Sequence, residues 1–342
     1  MALLYDLAKE YRTLSIVGMA KNSGKTTALN YLIEEAMDEG VILGITSTGR
    51  DGETTDLVTG TEKPRVYLDQ DTLVSVPSQL YNLAEAGLEI IKKTPYSTAI
   101  GELMICKVRD AGYVQIAGPV STAESKKLCQ DMFDLGVDLI MIDGAIDRKS
   151  IASPETSDAI ILATGAVLSR SLKKVVEETA HQVALYSLPE MEEGPERNIF
   201  EENIKNDVED KVMLLDDQNN LKKLSITTGL GNSKVIDEAI DEHTKYIYIP
   251  GALTDSVVCD ISPKKLKQVH FILKDPTKIF MKATEWGFKR KKGFTVSVLK
   301  NIKVVAVTVN PWAPLGYTFD SDELIGEMEK ALPGMPIIDV RK

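Results

Sequence analysis

The feature that most limits what this chain can fold into is the stretch from Leu14 to Thr27, Leu-Ser-Ile-Val-Gly-Met-Ala-Lys-Asn-Ser-Gly-Lys-Thr-Thr. Leu14–Val17 is a short apolar run with the character of a buried strand. Residues 18–23 form a glycine-bearing loop, and Lys25 opens a helical pattern that runs to Ala36. A strand, a loop ending in Gly-Lys-Thr and a helix together make the local context of a phosphate-binding P-loop. Such a loop aims backbone N–H groups and the positive end of a helix dipole at an anion. Read this way, Gly18, Asn22, Ser23, Gly24, Lys25, Thr26 and Thr27 surround the phosphates of a nucleotide. Lys25 reaches the β- and γ-phosphates, and the Thr26 hydroxyl ligates Mg²⁺. The spacing departs from the usual pattern in one respect. Five residues, Met19 to Ser23, separate Gly18 from Gly24, where four are standard. Either the loop is one residue longer, or Met19 stands where the first glycine belongs.

A length of 342 residues predicts two domains, or one large α/β domain with additions. Hydrophobic content of 43% supplies a sizeable core. Forty Lys and Arg against 51 Asp and Glu give a net charge of −11, which weighs against nucleic acid as the main partner. A local basic run, Lys289-Arg-Lys-Lys292, reads as a solvated turn before a strand at Phe294–Leu299. Cys106, Cys129 and Cys259 are widely spaced and read as reduced thiols, and His181, His243 and His270 lack zinc-ligand spacing. No apolar run approaches ~18 residues, and the first dozen residues read as an amphipathic helix rather than a signal or a span. A cytoplasmic protein is expected.

The order of elements predicts a P-loop α/β sandwich of three layers with a mainly parallel sheet. Val41–Thr46 is a second buried strand, closing a βαβ unit around the first helix. Gln79–Lys93 has helical periodicity, and Thr98–Lys107 and Tyr113–Ile116 are β-rich runs, paired as a hairpin or placed consecutively. A helix at Thr122–Leu135 and strands at Val137–Ile142 and Asp158–Ala163 follow, then a helix at Leu168–Tyr186. The acidic, proline-bearing stretch after Leu188 predicts a boundary: residues 1–188 as the nucleotide-binding domain, 189–210 as a linker, and 211–342 as a smaller C-terminal α/β domain of unknown role.

Four apolar residues, Leu139–Ile142, deliver Asp143 to a strand tip, where a carboxylate holds Mg²⁺ directly or through water. The competing reading is a helix-capping or turn aspartate. Arg50, Asp51 and Glu53 follow the second strand. Asp51 or Glu53 would orient an attacking water, and Arg50 would offset phosphoryl charge; a solvated turn is the alternative. Asp147-Arg-Lys-Ser150 reads as a phosphate or partner contact or a surface loop, and Thr164–Leu168 as one wall of a base pocket. No Asn-Lys-x-Asp sequence follows a late strand, which favours ATP over GTP. Three functional classes fit these residues: an ATPase coupled to a protein partner; a small-molecule kinase or ATP-dependent ligase of the dethiobiotin-synthetase type; and a nucleotide-gated binding module that does not hydrolyse.

Three segments carry a more specific resemblance: Gly18–Thr27; Ile45-Thr-Ser-Thr-Gly-Arg-Asp-Gly-Glu53; and Ile142-Asp-Gly-Ala-Ile-Asp-Arg-Lys-Ser-Ile-Ala-Ser-Pro154. Together they resemble the P-loop subunit found with adenosylcobalamin-dependent lysine and ornithine aminomutases, which accompanies a MutS-like ATPase as an aminomutase reactivase. The likeness runs through most of the first 190 residues and is weaker beyond. It implies ATP-dependent removal of inactivated cobalamin from the mutase, with the MutS-like subunit and the mutase as partners and no membrane or nucleic acid involved.

Overall fold

The computed structural model describes residues 3–48, 65–98, 100–119, 121–144, 155, 157–206, 210–314 and 316–341. In chain order the first elements are α1 (Leu3–Glu10), β1 (Thr13–Gly18), α2 (Lys25–Asp38), β2 (Leu43–Ser47), β3 (Val66–Leu68), β4 (Leu73–Pro77), β5 (Gly87–Thr98), β6 (Gly101–Asp110), β7 (Gly112–Val114), α3 (Thr122–Asp134), β8 (Leu139–Asp143), β9 (Ala159–Gly165) and α4 (Leu172–Tyr186). Then come α5 (Pro195–Asn206), β10 (Met213–Asp216), β11 (Leu221–Lys223), α6 (Ser233–Ala239), β12 (Thr244–Tyr248), α7 (Asp255–Val258), α8 (Pro263–Gln268), β13 (His270–Leu273), α9 (Ala283–Lys291) and β14 (Thr295–Val298). The chain closes with β15 (Val304–Asn310), β16 (Trp312–Ala313), β17 (Tyr317–Thr318), α10 (Ser321–Ala331) and β18 (Ile337–Asp339).

Two compact units result: Met1–Thr179 with Val304–Lys342, and Ala180–Lys303. The first is built on a nine-stranded mixed sheet in the order β18-β15-β9-β1-β8-β2-β4-β6-β5. From β18 to β4 every neighbouring pair is parallel, while β6 and β5 run antiparallel at one edge. Alternation along β8 shows why the strands are apolar throughout. Leu139 and Met141 join a core with Leu29, Leu32 and Ile33 of α2, while Ile140 and Ile142 join Leu128, Cys129 and Met132 of α3. Both faces are covered, so successive side chains on opposite faces are all buried. The α2 stripe of Ala28, Leu29, Leu32, Ile33 and Ala36 has the spacing of one helical face, and each of its Leu and Ile side chains contributes about 1.5–3 kcal/mol of burial.

The second unit carries a five-stranded sheet, β11-β10-β12-β13-β14, whose last three strands are parallel. Its cores run from Leu185 to Val298 and from Met191 to Leu299.

Several expectations change here. The second unit is an insertion and not a C-terminal domain of residues 211–342. β15 pairs in parallel with β9 from Val304 to Asn310, and β18 pairs with β15, so the last forty residues return to the first sheet. The segment 189–210 is no simple linker, because residues 195–206 form α5 with Phe200 fully buried beneath. The helix expected over Gln79–Lys93 is instead a short 3₁₀ turn, Tyr81–Leu83, followed by β5. The β6 run pairs with β4 and β5, while β7 pairs with β3, so the two β-rich runs form no hairpin with each other. Lys289–Lys292 ends a helix and does not form a free turn. Cys106 and Cys129 are buried free thiols, whereas Cys259 is exposed. Among the described residues, no helix is long and apolar enough to cross a membrane.

Candidate functional site

Order reverses at β1. The chain passes from β1 to β2, returns to insert β8 between them, and then crosses to β9 on the other side. In open α/β sheets a crevice forms beyond the carboxyl ends of the strands at such a reversal. The Gly18–Thr27 segment leaves β1 at this point.

The extra residue of the loop has a physical account. The Met19 N–H donates to the Ala163 carbonyl at 2.9 Å, continuing the β1–β9 ladder one step past the Gly18–Ala163 pair. Met19 therefore extends the strand, and the turn proper spans Ala20–Ser23, closed by Ser23 N–H to the Ala20 carbonyl at 3.3 Å. Gly18 still needs to be glycine. A Cβ there would lie 2.6 Å from Ser23 Oγ and 2.9 Å from Lys25 Cγ, because the lysine folds back over the strand end.

Two residues in the loop adopt left-handed backbone, Asn22 (φ 63°) and Gly24 (φ 98°). Asparagine tolerates this region and glycine enters it without a Cβ penalty. Left-handed residues alternating with right-handed ones turn successive N–H groups toward a common concavity, the geometry of an anion nest. The helix that follows lacks a cap. Gly24 gives α2 no side-chain acceptor, and its first turn carries no acid. By contrast, Ser121 Oγ accepts from Glu124 N–H at the start of α3, and Asp320 Oδ1 accepts from Glu323 N–H at the start of α10. Among the described residues no N-cap side chain takes the first N–H groups of α2, the donors that an external anion would meet.

Opposite them lies the tip of β8. Lys25 Nζ donates to the Gly144 carbonyl and stands 3.9 Å from Asp143 Oδ1, with the two side chains 12% and 26% exposed. β1 and β8 are hydrogen-bonded neighbours with Ile16 opposite Asp143, which brings the strand tips side by side. Thr48 N–H, at the tip of β2, donates to the Asp143 carbonyl at 3.3 Å. Two hydroxyls near these tips, Ser23 Oγ and Thr48 Oγ1, are buried with no hydrogen-bond partner among the described residues, and Ser23 is 2% exposed. Orphaned buried hydroxyls are costly unless a ligand or water completes them.

The structure therefore brings Lys25 of the loop and Asp143 of a separate strand together. Thr26 and Thr27 occupy the first turn of α2. Asp51 and Glu53, with Arg50 and the 147–150 cluster, lie outside the described residues. Thr164 and Gly165 end β9, and residues 166–168 form a 3₁₀ turn. One neighbour was not singled out from sequence: Asn310, at the end of β15. Its Cβ lies 3.1 Å from where a Cβ on Gly24 would be, and its carbonyl oxygen 2.1 Å from a Cβ on Gly165. Asn310 is 5% exposed and its Oδ1 accepts from Trp312 N–H at 3.1 Å. The available signal is the strand Val304–Val309 ending in Asn-Pro, but Asn310 stands 286 residues beyond Gly24 and looks like any strand end.

None of the family models, characterised proteins or solved structures compared with this chain matches it.

Proposed function

We propose that this chain is a P-loop NTPase that binds Mg²⁺–ATP and couples its hydrolysis to a change in a protein partner. The observation that carries the reading is the convergence at one strand edge: an uncapped α2 terminus, a loop with alternating backbone handedness, and the Lys25 ammonium beside the Asp143 carboxylate. Each of these suits a triphosphate, and their coincidence is hard to explain as turn chemistry alone. The absence of an Asn-Lys-x-Asp sequence supports adenine as the base.

The residues present fit a magnesium ion. Thr26 offers a hydroxyl and Asp143 a carboxylate, both hard oxygen donors, and magnesium bound beside phosphates uses only one or two protein oxygens. A Mg²⁺ ion held there would neutralise charge on the phosphate oxygens. Lys25 exchanges its contact with the Gly144 carbonyl for a phosphate oxygen, and the α2 N–H groups and Ser23 Oγ complete the cradle. In this scheme Asp51 or Glu53 positions the attacking water, as the sequence suggests. Resemblance alone supplies the partner: reactivation of a cobalamin-dependent aminomutase together with a MutS-like ATPase.

Lys25→Ala tests the nucleotide reading by calorimetry with Mg²⁺–ATP. Loss of a charge-assisted bond together with its counter-charge should weaken binding ~100-fold. Unchanged affinity would overturn it. The coupling is tested by turnover. Hydrolysis by the isolated chain should be slow and should rise on adding the aminomutase or the MutS-like subunit. Fast turnover indifferent to both would remove the reactivase reading while leaving nucleotide binding intact.

A further inference from the structure

The second unit holds a charge pattern that nucleotide binding does not use. Residues 261–303 contain twelve of the chain's forty Lys and Arg against two acids, Asp275 and Glu285, in a protein whose net charge is −11. Part of this charge gathers along the sheet edge where β12, β13 and β14 begin. α8, carrying Lys264 and Lys267, leads into β13, and α9, ending in Arg290 and Lys291 and followed by Lys292, leads into β14. A Cβ on Gly293 would lie 2.6 Å from Lys267 Cγ, which places the two junctions in contact. Lys265 pairs with Asp237 and Lys289 with Asp255. Lys264, Lys267, Lys291 and Lys292 are exposed and have no acidic partner among the described residues. Lys292 Nζ lies 4.1 Å from the ring centre of Phe288, which is 56% exposed.

The same edge is acidic at its other end. β10 runs antiparallel to β12 with Asp216 opposite Thr244, so the Asp216–Asp217 turn meets Asp241 and Glu242, which precede β12. Asp217 N–H donates to the His243 carbonyl at 3.0 Å, fixing that meeting. Gln268 spans the middle, its Nε2 donating to the Asp241 and Thr244 carbonyls at 2.7 and 3.0 Å. From β10 to β14 is three strand steps, or ~14 Å. The edge is a continuous stripe, acidic at β10–β12 and basic at β13–β14.

We propose that this stripe is a docking face for a second copy of the chain, in a two-fold arrangement. A stripe with opposite charges at its ends matches itself when turned through 180°, so each acidic pole meets the other copy's lysines and two equivalent sets of contacts form. That is the self-complementarity an isologous interface requires. A partner of single charge, nucleic acid or an acidic protein, would be attracted by one pole and repelled by the other. Phe288, standing among the lysines, supplies the apolar anchor that charge alone lacks.

Sedimentation velocity of the full chain at ~0.01 M and ~1 M salt tests the proposal, because the screening length falls from ~30 Å to ~3 Å between them. A dimer is expected at low salt, weakened at least ~10-fold at high salt. Lys264→Glu, Lys267→Glu, Lys291→Glu and Lys292→Glu together should give a monomer, as should Asp217→Lys with Glu242→Lys. Mixing the two charge-reversed proteins should restore the dimer, an outcome that damaged folding could not produce. If either set fails to fold by circular dichroism, Lys→Gln and Asp217→Asn with Glu242→Gln replace it, and association should fall in proportion. A wild-type chain monomeric at low salt up to ~100 μM would overturn the proposal, as would growth beyond a dimer or dimerisation unchanged by reversal. So would a persistently monomeric chain that binds a single-stranded oligonucleotide through the lysine pole.

Discussion

Glycine is required at two places in the loop for different reasons, and a single methyl separates them. At Gly18 the backbone is not left-handed; the difficulty is that the buried Ser23 Oγ and the Lys25 stem lie where the Cβ would go. Both are side chains that can shift, so Gly18→Ala acts by displacing the Ser23 hydroxyl and the Lys25 stem, and with the stem the ammonium beside Asp143. At Gly24 the backbone is left-handed and the obstruction, 3.1 Å away, is Asn310 Cβ on a buried strand end. Gly24→Ala should therefore cost about 1–2 kcal/mol in conformation before the contact is counted. Adding Asn310→Gly relieves the contact and not the φ, so the double variant should recover only part of the loss. Urea midpoints for the three proteins decide this; complete recovery would mean that the backbone strain is negligible. The Gly-Lys-Thr signature was legible because it is local and contiguous. Asn310 was not, because its contact with Gly24 depends on β15 joining the same sheet from far along the chain.

Elements were readable from sequence wherever two faces are buried or one helical face is. β1, α2 and β8 appeared with nearly their true limits, since the runs Leu14–Val17 and Leu139–Ile142 leave no alternative to a buried strand. β5 reads as helix in the sequence because it is the sheet's last strand and its first half is largely exposed: Ile90 and Ile91, at a register shift in the ladder to β6, are each 38% exposed. Over Gly87–Lys93 no residue is buried, so there is no period of two to detect. Its ladder to β6 is irregular between Lys93 and Ser97, where Pro95 sits, which is the position an edge strand allows proline. In the second unit, β13 offers an element-level test through pH. His270 opens the strand, its Nε2 2.9 Å from Ser297 Oγ of β14. Burial, reinforced by the Arg290 charge, holds its pKa below the usual imidazole value. Above pH ~6.5 the ring is neutral in both folded and unfolded chains, and its titration contributes nothing. As pH falls through that value the unfolded chain takes up the proton first, so stability declines until the folded pKa is passed and is then flat. His270→Asn should reduce the loss of urea stability between pH 7.5 and 5, measured against the wild type. An equal loss in both proteins would assign the acid sensitivity to other groups.

At the scale of the whole molecule, a boundary legible in composition does not reveal which sheet the chain rejoins after it. The composition shift near Leu188 marks entry into the second unit, which begins at Ala180. Nothing local announces that β15 and β18 belong to the first sheet, because Val304–Asn310 would suit a buried parallel strand of either unit. Only pairing decides it, and β9 is where it is decided: all seven of its residues are buried, with β1 on one side and β15 on the other. This gives opposite expectations for pieces of the chain. Residues 1–188 alone would leave β9 as an open edge with Ile160, Ile161 and Leu162 stripped of their β15 neighbours, a surface suited to aggregation. Residues 180–303 alone keep both of their cores, which lie between Leu185 and Leu299. The first piece should be insoluble or fail to unfold cooperatively. The second should give dispersed amide resonances and a single urea transition, as should residues 1–179 joined to 304–342 by a flexible linker. A soluble, cooperatively unfolding 1–188 piece would show that β15 and β18 are accessory to the first sheet, and would restore the boundary at 188 as a true domain limit.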